Sequence, residues 1–340
     1  MEIDVDVDID IEVEVEVEVD PFEQFNRAMG ADGATSPYPG FVEMRPAHVH
    51  AEEIDYEALG DAPGFFTAYT YEAVHEILGD GERFSSAGYG EVMGAVMGRS
   101  ILEMDEPEHS TYRGAMNPYL SPAAIKRWVP FVDEIVRAAL DEKNESGHID
   151  FVDDLANIVP AVLTLAMMGI ELNKWPVYSE PAHLSVSTPE HSPDAPRVAE
   201  MNRQMGIDMI TTMMEVRENP RPGLINALLQ LRIDGEPAPD LEILGNLGLI
   251  IGGGFGFTTA LTAHSLEWLS ENPDKRELLS RERATLQDPA TEEFLRFYTP
   301  APGDGRTFSE DVEVDGQQFK EGERLWISWA MANRDPAVFE

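Results

Sequence analysis

The sequence contains no cysteine. That absence excludes disulfides, zinc–thiolate centres, a cysteine nucleophile and thiolate ligation of iron by any of these 340 residues. Basic residues are scarce as well: 24 Lys and Arg stand against 64 Asp and Glu, a net charge of −40. Such a field repels phosphates before contact, so no nucleic-acid partner and no anionic membrane surface is expected. No apolar run reaches the roughly 18 residues of a membrane span, and Met1-Glu2-Ile3-Asp4 lacks the basic and apolar regions of a signal peptide. The expectation is a cytoplasmic chain with no membrane segment. A hydrophobic fraction of 43% is enough for a large buried core.

From residue 2 to residue 20 every even position is Asp or Glu and every odd position is Ile or Val. This arm holds ten acids and no base, leaving −30 for the rest of the chain. Period-2 alternation of β-branched residues is a strand pattern, yet ten carboxylates on one face repel one another. The arm therefore reads as a solvated low-complexity tail, and residues 21–340 as the folded unit.

Within that unit helices dominate. Gly64–Thr70 reads as a strand and Tyr71–Leu78 as a short helix closed by Gly79-Asp80-Gly81; a glycine-rich loop covers Ser86–Gly98. Helices are expected over Pro107–Tyr119, Pro122–Glu142, Phe151–Met168, Met201–Arg217 and Leu224–Leu231, with an exposed loop at residues 180–197. Another short helix is expected after Pro289, and short strands over Asp311–Val314, Gln317–Lys320 and Arg324–Ser328. Leu241–Asn272 reads as one long helix, apolar on nearly all sides in its first half and therefore buried. Its centre, Gly252-Gly253-Gly254-Phe255-Gly256, is anomalous because each interior glycine costs about 1 kcal/mol against alanine. Either a flat ligand or another backbone approaches closely there, since glycine removes the Cβ that would collide.

Two side-chain pairs accompany that helix. His109 and Arg113 are four apart, presenting two donors on one helix face, an arrangement suited to ligand carboxylates or to an ordinary surface. Glu293 and Arg296 are three apart and can pair on their own helix, where an exposed pair is worth only about 0.3–0.5 kcal/mol. Arg306 precedes a strand and is ambiguous alone.

In this order the pieces resemble the cytochrome P450 family of heme-thiolate monooxygenases, in its soluble bacterial form, over about residues 40–340. The resemblance rests on Glu82-Arg83-Phe84-Ser85-Ser86, on Asp105 through Arg113, and on Thr262 through Pro273. It continues through Glu293-x-x-Arg296, Arg306-Thr307, Val314 through Glu323, and Ala332-Asn333-Arg334-Asp335-Pro336. It implies a mainly α fold with small β-sheets and a heme cofactor. By that resemblance His109, Arg113 and Arg306 would hold the two heme propionates, and Glu293 with Arg296 would form a buried ion pair. The helix bearing Gly253 and Gly254 would cross the distal face of the heme. The implied reaction inserts one atom of dioxygen into a small apolar organic substrate, with electrons from a ferredoxin-type donor. That donor would dock near the basic Lys126-Arg127, and substrate would be lined by residues 87–98 and 170–217.

The sequence departs from the family twice. The cysteine that would ligate the iron follows the Asn-Arg-Asp-Pro stretch in the family and is absent here, so the chain is expected to be C-terminally truncated and inactive as it stands. In the distal helix Gly256 and Phe257 replace the usual acid and threonine, leaving Thr258 as the substitute for proton delivery. Two alternatives follow: a heme- or ligand-binding protein of the same fold without oxygen activation, or a non-functional acidic fragment.

Overall fold

A computed structural model of the chain describes residues 49–52, 65–88, 98–189, 192–314 and 316–339. The acidic arm and most of the glycine-rich loop lie outside the described residues. The strands are β1 (Val49–Glu52), β2 (Phe65–Ala68), β3 (Phe84–Ser85), β4 (Arg232–Ile233), β5 (Glu236–Pro237), β6 (Gly303–Phe308), β7 (Val312–Val314), β8 (Gln317–Phe319) and β9 (Arg324–Ser328). The helices are α1 (Tyr71–Gly79), α2 (Glu108–Leu120), α3 (Pro122–Ile125), α4 (Val129–Lys143), α5 (Ile158–Met168), α6 (Trp175–Ser187) and α7 (Ala195–Glu218). They continue as α8 (Leu224–Gln230), α9 (Asp240–Gly254), α10 (Gly256–Glu271), α11 (Pro273–Arg281), α12 (Arg283–Tyr298) and α13 (Trp329–Ala332). The expected mainly α architecture with small sheets is what forms.

One sheet joins the two ends of the described chain in the order β1-β2-β9-β6-β3. β2 and β9 run parallel with Phe66 beside Leu325, and β6 lies antiparallel to β9 with Arg306 beside Leu325. The β7–β8 hairpin pairs Val312 with Phe319, as period-2 patterning around the Gly316 turn predicts. Phe84, Phe308, Phe319, Ile77 and Leu325 bury one face of this sheet against α1. β6 escaped sequence reading because Gly303-Asp-Gly does not look like a strand. Gly303 is required there: a Cβ would lie 2.3 Å from Ile327 O and 2.7 Å from the Trp326 ring.

The helical core is separate and larger, built from Tyr112, Met116, Leu165, Met168, Tyr178, Met213, Leu228, Leu247 and Phe255. The region expected to be an exposed loop at 180–197 is mostly helix, α6 running to Ser187 and α7 starting at Ala195. Its prolines misled: Pro196 sits in the first turn of α7, where its missing N–H costs nothing, and Pro181 is accommodated inside α6. Pro289 likewise lies inside α12 rather than before it. The single helix expected over 241–272 is two, with Phe255 between α9 and α10 at φ −99° and ψ −76°. Asp240–Glu271 is nevertheless long and apolar enough, by length and composition alone, to cross a membrane, which corrects the expectation of no such stretch. Its glycines, threonines and asparagine interrupt any unbroken apolar run. In the fold, α9 packs against α5 and α8.

Candidate functional site, a cation-lined cavity beside the glycine helix

Three segments distant in sequence enclose a cavity of about 930 Å³: the start of α2, the strand β6 and the middle of α9. His109 and Arg113 reach it from α2, Arg306 and Asp304 from β6, and Leu249 from α9; Ile77, Phe84, Ile101 and Met104 supply apolar walls. The histidine and two arginines singled out in the sequence therefore share one concavity.

They are differently engaged. Arg113 is exposed and makes no hydrogen bond or ion pair among the described residues. His109 Nδ1 lies 3.2 Å from Glu106 Oε1, and the Ser110 hydroxyl together with His109 holds the Glu106 carboxyl below its ordinary range. Arg306 donates from Nη1 to Asp304 Oδ2 at 3.1 Å and to Gly305 O at 2.6 Å. Sequence reading missed Asp304, although Asp-x-Arg on a strand places both side chains on one face. Burial pushes the Asp304 carboxyl up, against the opposing pull of Arg306. Asp105 braces the rim by accepting hydrogen bonds from the Ser85 hydroxyl and, at 2.8 Å, from the Ser86 N–H.

The glycines divide. At Gly253 an added Cβ meets nothing within 4 Å, so room for a ligand exists there. At Gly254 it would lie 2.6 Å from Thr164 Oγ1, so this glycine serves helix packing against α5, and the ligand-facing expectation for it is corrected. Thr258 is exposed, while its neighbour Thr259 is buried and donates to Ala156 O at 2.9 Å.

Glu293 and Arg296 do pair, at 2.6 Å, but Glu293 keeps 61% of its side chain exposed, so the expected buried pair is corrected to a surface one. Arg296 matters more through another contact: Nη1 donates to Asn333 O at 2.6 Å, and its guanidinium lies over the Phe339 ring. Asn333 Nδ2 in turn donates to Thr299 Oγ1 at 3.1 Å, and Asp335 accepts from the Tyr71 N–H at 2.9 Å. The Asn-Arg-Asp segment thus staples α12 to α1. Lys126 and Arg127 are exposed on the surface after α3.

Comparison with known proteins gives the class first. The chain has the fold of a Mycobacterium marinum cytochrome P450 solved with pseudoionone, with a TM-score of 0.81 and 23% identity over 92% of this chain and 80% of that one. A Bacillus megaterium cytochrome P450 solved with testosterone superposes with a TM-score of 0.75 at 25% identity, covering 90% of this chain and 78% of that one. No family model matches the chain. Among curated sequences, cytochrome P450 109 of Bacillus spizizenii is 27% identical over 311 residues, 89% of this chain and 73% of its own length. Linalool 8-monooxygenase of Pseudomonas putida is 26% identical over 321 residues, 89% of this chain and 77% of its own. Over about nine tenths of its length the chain is thus similar to cytochrome P450 proteins, and it has their fold.

Proposed function

We propose that this chain is built for heme-dependent mono-oxygenation of an apolar organic molecule, and that the cavity between α2, β6 and α9 takes the carboxylate-bearing edge of the heme. The observation that carries the reading is the convergence of His109, Arg113 and Arg306 on one concavity in a protein so short of cations. Two carboxylates fit three donors, of which Arg113 stands free among the described residues and Arg306 is aimed by Asp304. Heme, when bound, supplies the iron at which dioxygen is activated. The protein's share is to grip the carboxylates, to leave space above Gly253, and to exclude water with Ile101, Met104 and Leu249.

Proton delivery is the weak part of this site. Gly256 and Phe257 carry no group able to move a proton, and Thr258 supplies the hydroxyl nearest to them on α10. With no cysteine in the sequence, no residue here gives iron a thiolate. These two facts favour a second reading, heme or ligand binding without oxygen activation by this chain alone. By family analogy the electron donor would be a ferredoxin-type protein docking near Lys126 and Arg127, and residues 170–217 would line the substrate; the matching expectation for residues 87–98 falls largely outside the described residues.

Titration of the full chain with hemin, followed by reduction and carbon monoxide, tests both readings. Saturable uptake that Arg113→Ala and Arg306→Ala each weaken by about tenfold supports the cradle, that being the worth of one charge-assisted hydrogen bond. Uptake indifferent to both variants sinks it. With no cysteine the carbon monoxide band is expected at a non-thiolate position; oxidation of an apolar substrate by the heme-loaded chain with reductant and dioxygen would contradict the second reading, and heme uptake without it favours that reading.

A further inference from the structure

Beside the cavity, and not facing it, lies a second polar cluster that joins the segment at 98–101 to α2 and α9. Arg99 holds Glu108 of α2 with both ends of its guanidinium, Nη1 to Oε1 at 2.6 Å and Nη2 to Oε2 at 2.5 Å. The same Nη1 donates to Glu242 Oε1 of α9 at 3.0 Å. The other oxygen of Glu242 accepts from the Tyr112 hydroxyl, whose ring is fully buried. Behind the charges the backbones touch: a Cβ on Gly245 would fall 2.2 Å from Arg99 O, and one on Gly98, which sits at φ +81°, would lie 3.4 Å from Gly245 Cα. Asn246, also fully buried, accepts from the Ile101 N–H at 3.1 Å and donates to Glu242 O at 2.8 Å.

The spacing on α2 gives this cluster its meaning. Glu108 and Tyr112 are four apart and form one face of the helix. His109 and Arg113 follow each by one residue and form the neighbouring face, turned by roughly 100°. Whatever pins the first face sets the direction of the second. We propose that Arg99 is a positioning residue that fixes the rotation of α2 against α9 and thereby aims His109 and Arg113 into the cavity. Its bidentate hold on Glu108 resists rotation, which a single-point contact would permit. Glu242 carries the constraint to the helix whose Leu249 lines the same cavity.

The ligand chemistry used to test this rests on the heme reading above, so one arm is independent of it. Because the sequence has no cysteine, the pair Arg113→Cys and Arg306→Cys would hold the only thiols in the full chain. Cross-linking by a short bismaleimide then reports the approach of α2 to β6 across the cavity. Adding Arg99→Met slows that cross-link about tenfold if the rotation is released, and Arg99→Lys, a charge without the fork, slows it less. In the second arm, free-base protoporphyrin IX and its dimethyl ester are titrated into the chain with and without Arg99→Met. The diacid weakens by about tenfold while the ester is unmoved, since only the diacid uses the aimed cations.

An unchanged cross-linking rate overturns the inference, as does equal weakening of diacid and ester, which is what mere loss of stability produces. If Arg99→Met does not fold, as judged by circular dichroism, the Arg99→Lys chain decides by the same two criteria. If the unaltered chain shows no preference for the diacid, the heme reading falls and the cross-link alone judges Arg99.

Discussion

At Gly253 the space beyond the backbone is open, and at Gly254 it is filled by Thr164. Two adjacent residues of one type are therefore held by different physics, and substitution separates them. Gly253→Ala is expected to stabilise the chain slightly, by up to about 0.5 kcal/mol for a residue in the last turn, because helix propensity improves and nothing is struck. Gly254→Ala is expected to destabilise by about 1–3 kcal/mol, since α9 must back away from α5 and a residue ending its helix regains little propensity. Urea unfolding of both variants decides; a stabilising Gly254→Ala would mean that Thr164 gives way easily. The same pair shows what was legible at this scale. Four glycines in a helix announced a close approach, but which of them faces a ligand depends on the azimuth of each on the helix. That azimuth is known only once α5 is in place.

The elements explain why the Glu-x-x-Arg motif was half understood. Three-residue spacing on a helix dictates that Glu293 and Arg296 pair, and they do. It could not say that the arginine also reaches Asn333 O, 37 residues away in sequence. Removing Arg296 should therefore cost more than removing Glu293: about 1.5–3 kcal/mol for Arg296→Ala, which leaves that carbonyl unpartnered, against under about 1 kcal/mol for Glu293→Ala. Thermal unfolding of the two variants measures the asymmetry, and equal losses would refute it. The Arg99 cluster has a pH consequence of the same kind. The Arg99 guanidinium holds the Glu108 carboxyl below its ordinary value of 4.5. Its stabilisation is thus complete above that value and disappears as pH falls through the lower, folded value. Stability profiles of the chain and of Arg99→Met are expected to converge on the acid side. At this scale Pro196 concealed the start of α7, because a proline opening a helix and a proline in a loop look alike in sequence, and Pro181, inside α6, concealed the end of that helix because an interior proline ordinarily argues against one.

For the whole molecule charge dominates. A net −40 repels itself in the compact state more than in the expanded one, and exposed ion pairs return little. Raising sodium chloride from low to physiological strength should raise the melting temperature, with a shallower slope once residues 2–20 and their ten acids are deleted. A falling melting temperature would show that screened attractive pairs outweigh the repulsion. The sheet order β1-β2-β9-β6-β3 belongs to this scale too. Strands near both ends of the described chain read in sequence as unrelated pieces, and their pairing carries Arg306 to the cavity that α2 enters from the other side.

The sequence by itself determined the helical character, the hairpin at Gly316, the three candidate cations and the lack of any cysteine. Each of these is a matter of residue type or of spacing within a single element. Only the tertiary structure decided that the cations share a cavity, that Asp304 engages one of them, and that Arg99 braces the helix carrying the other two. Contacts between elements depend on the rotation and depth at which helices and strands pack, and those are set by the complementarity of whole surfaces, which local spacing does not encode.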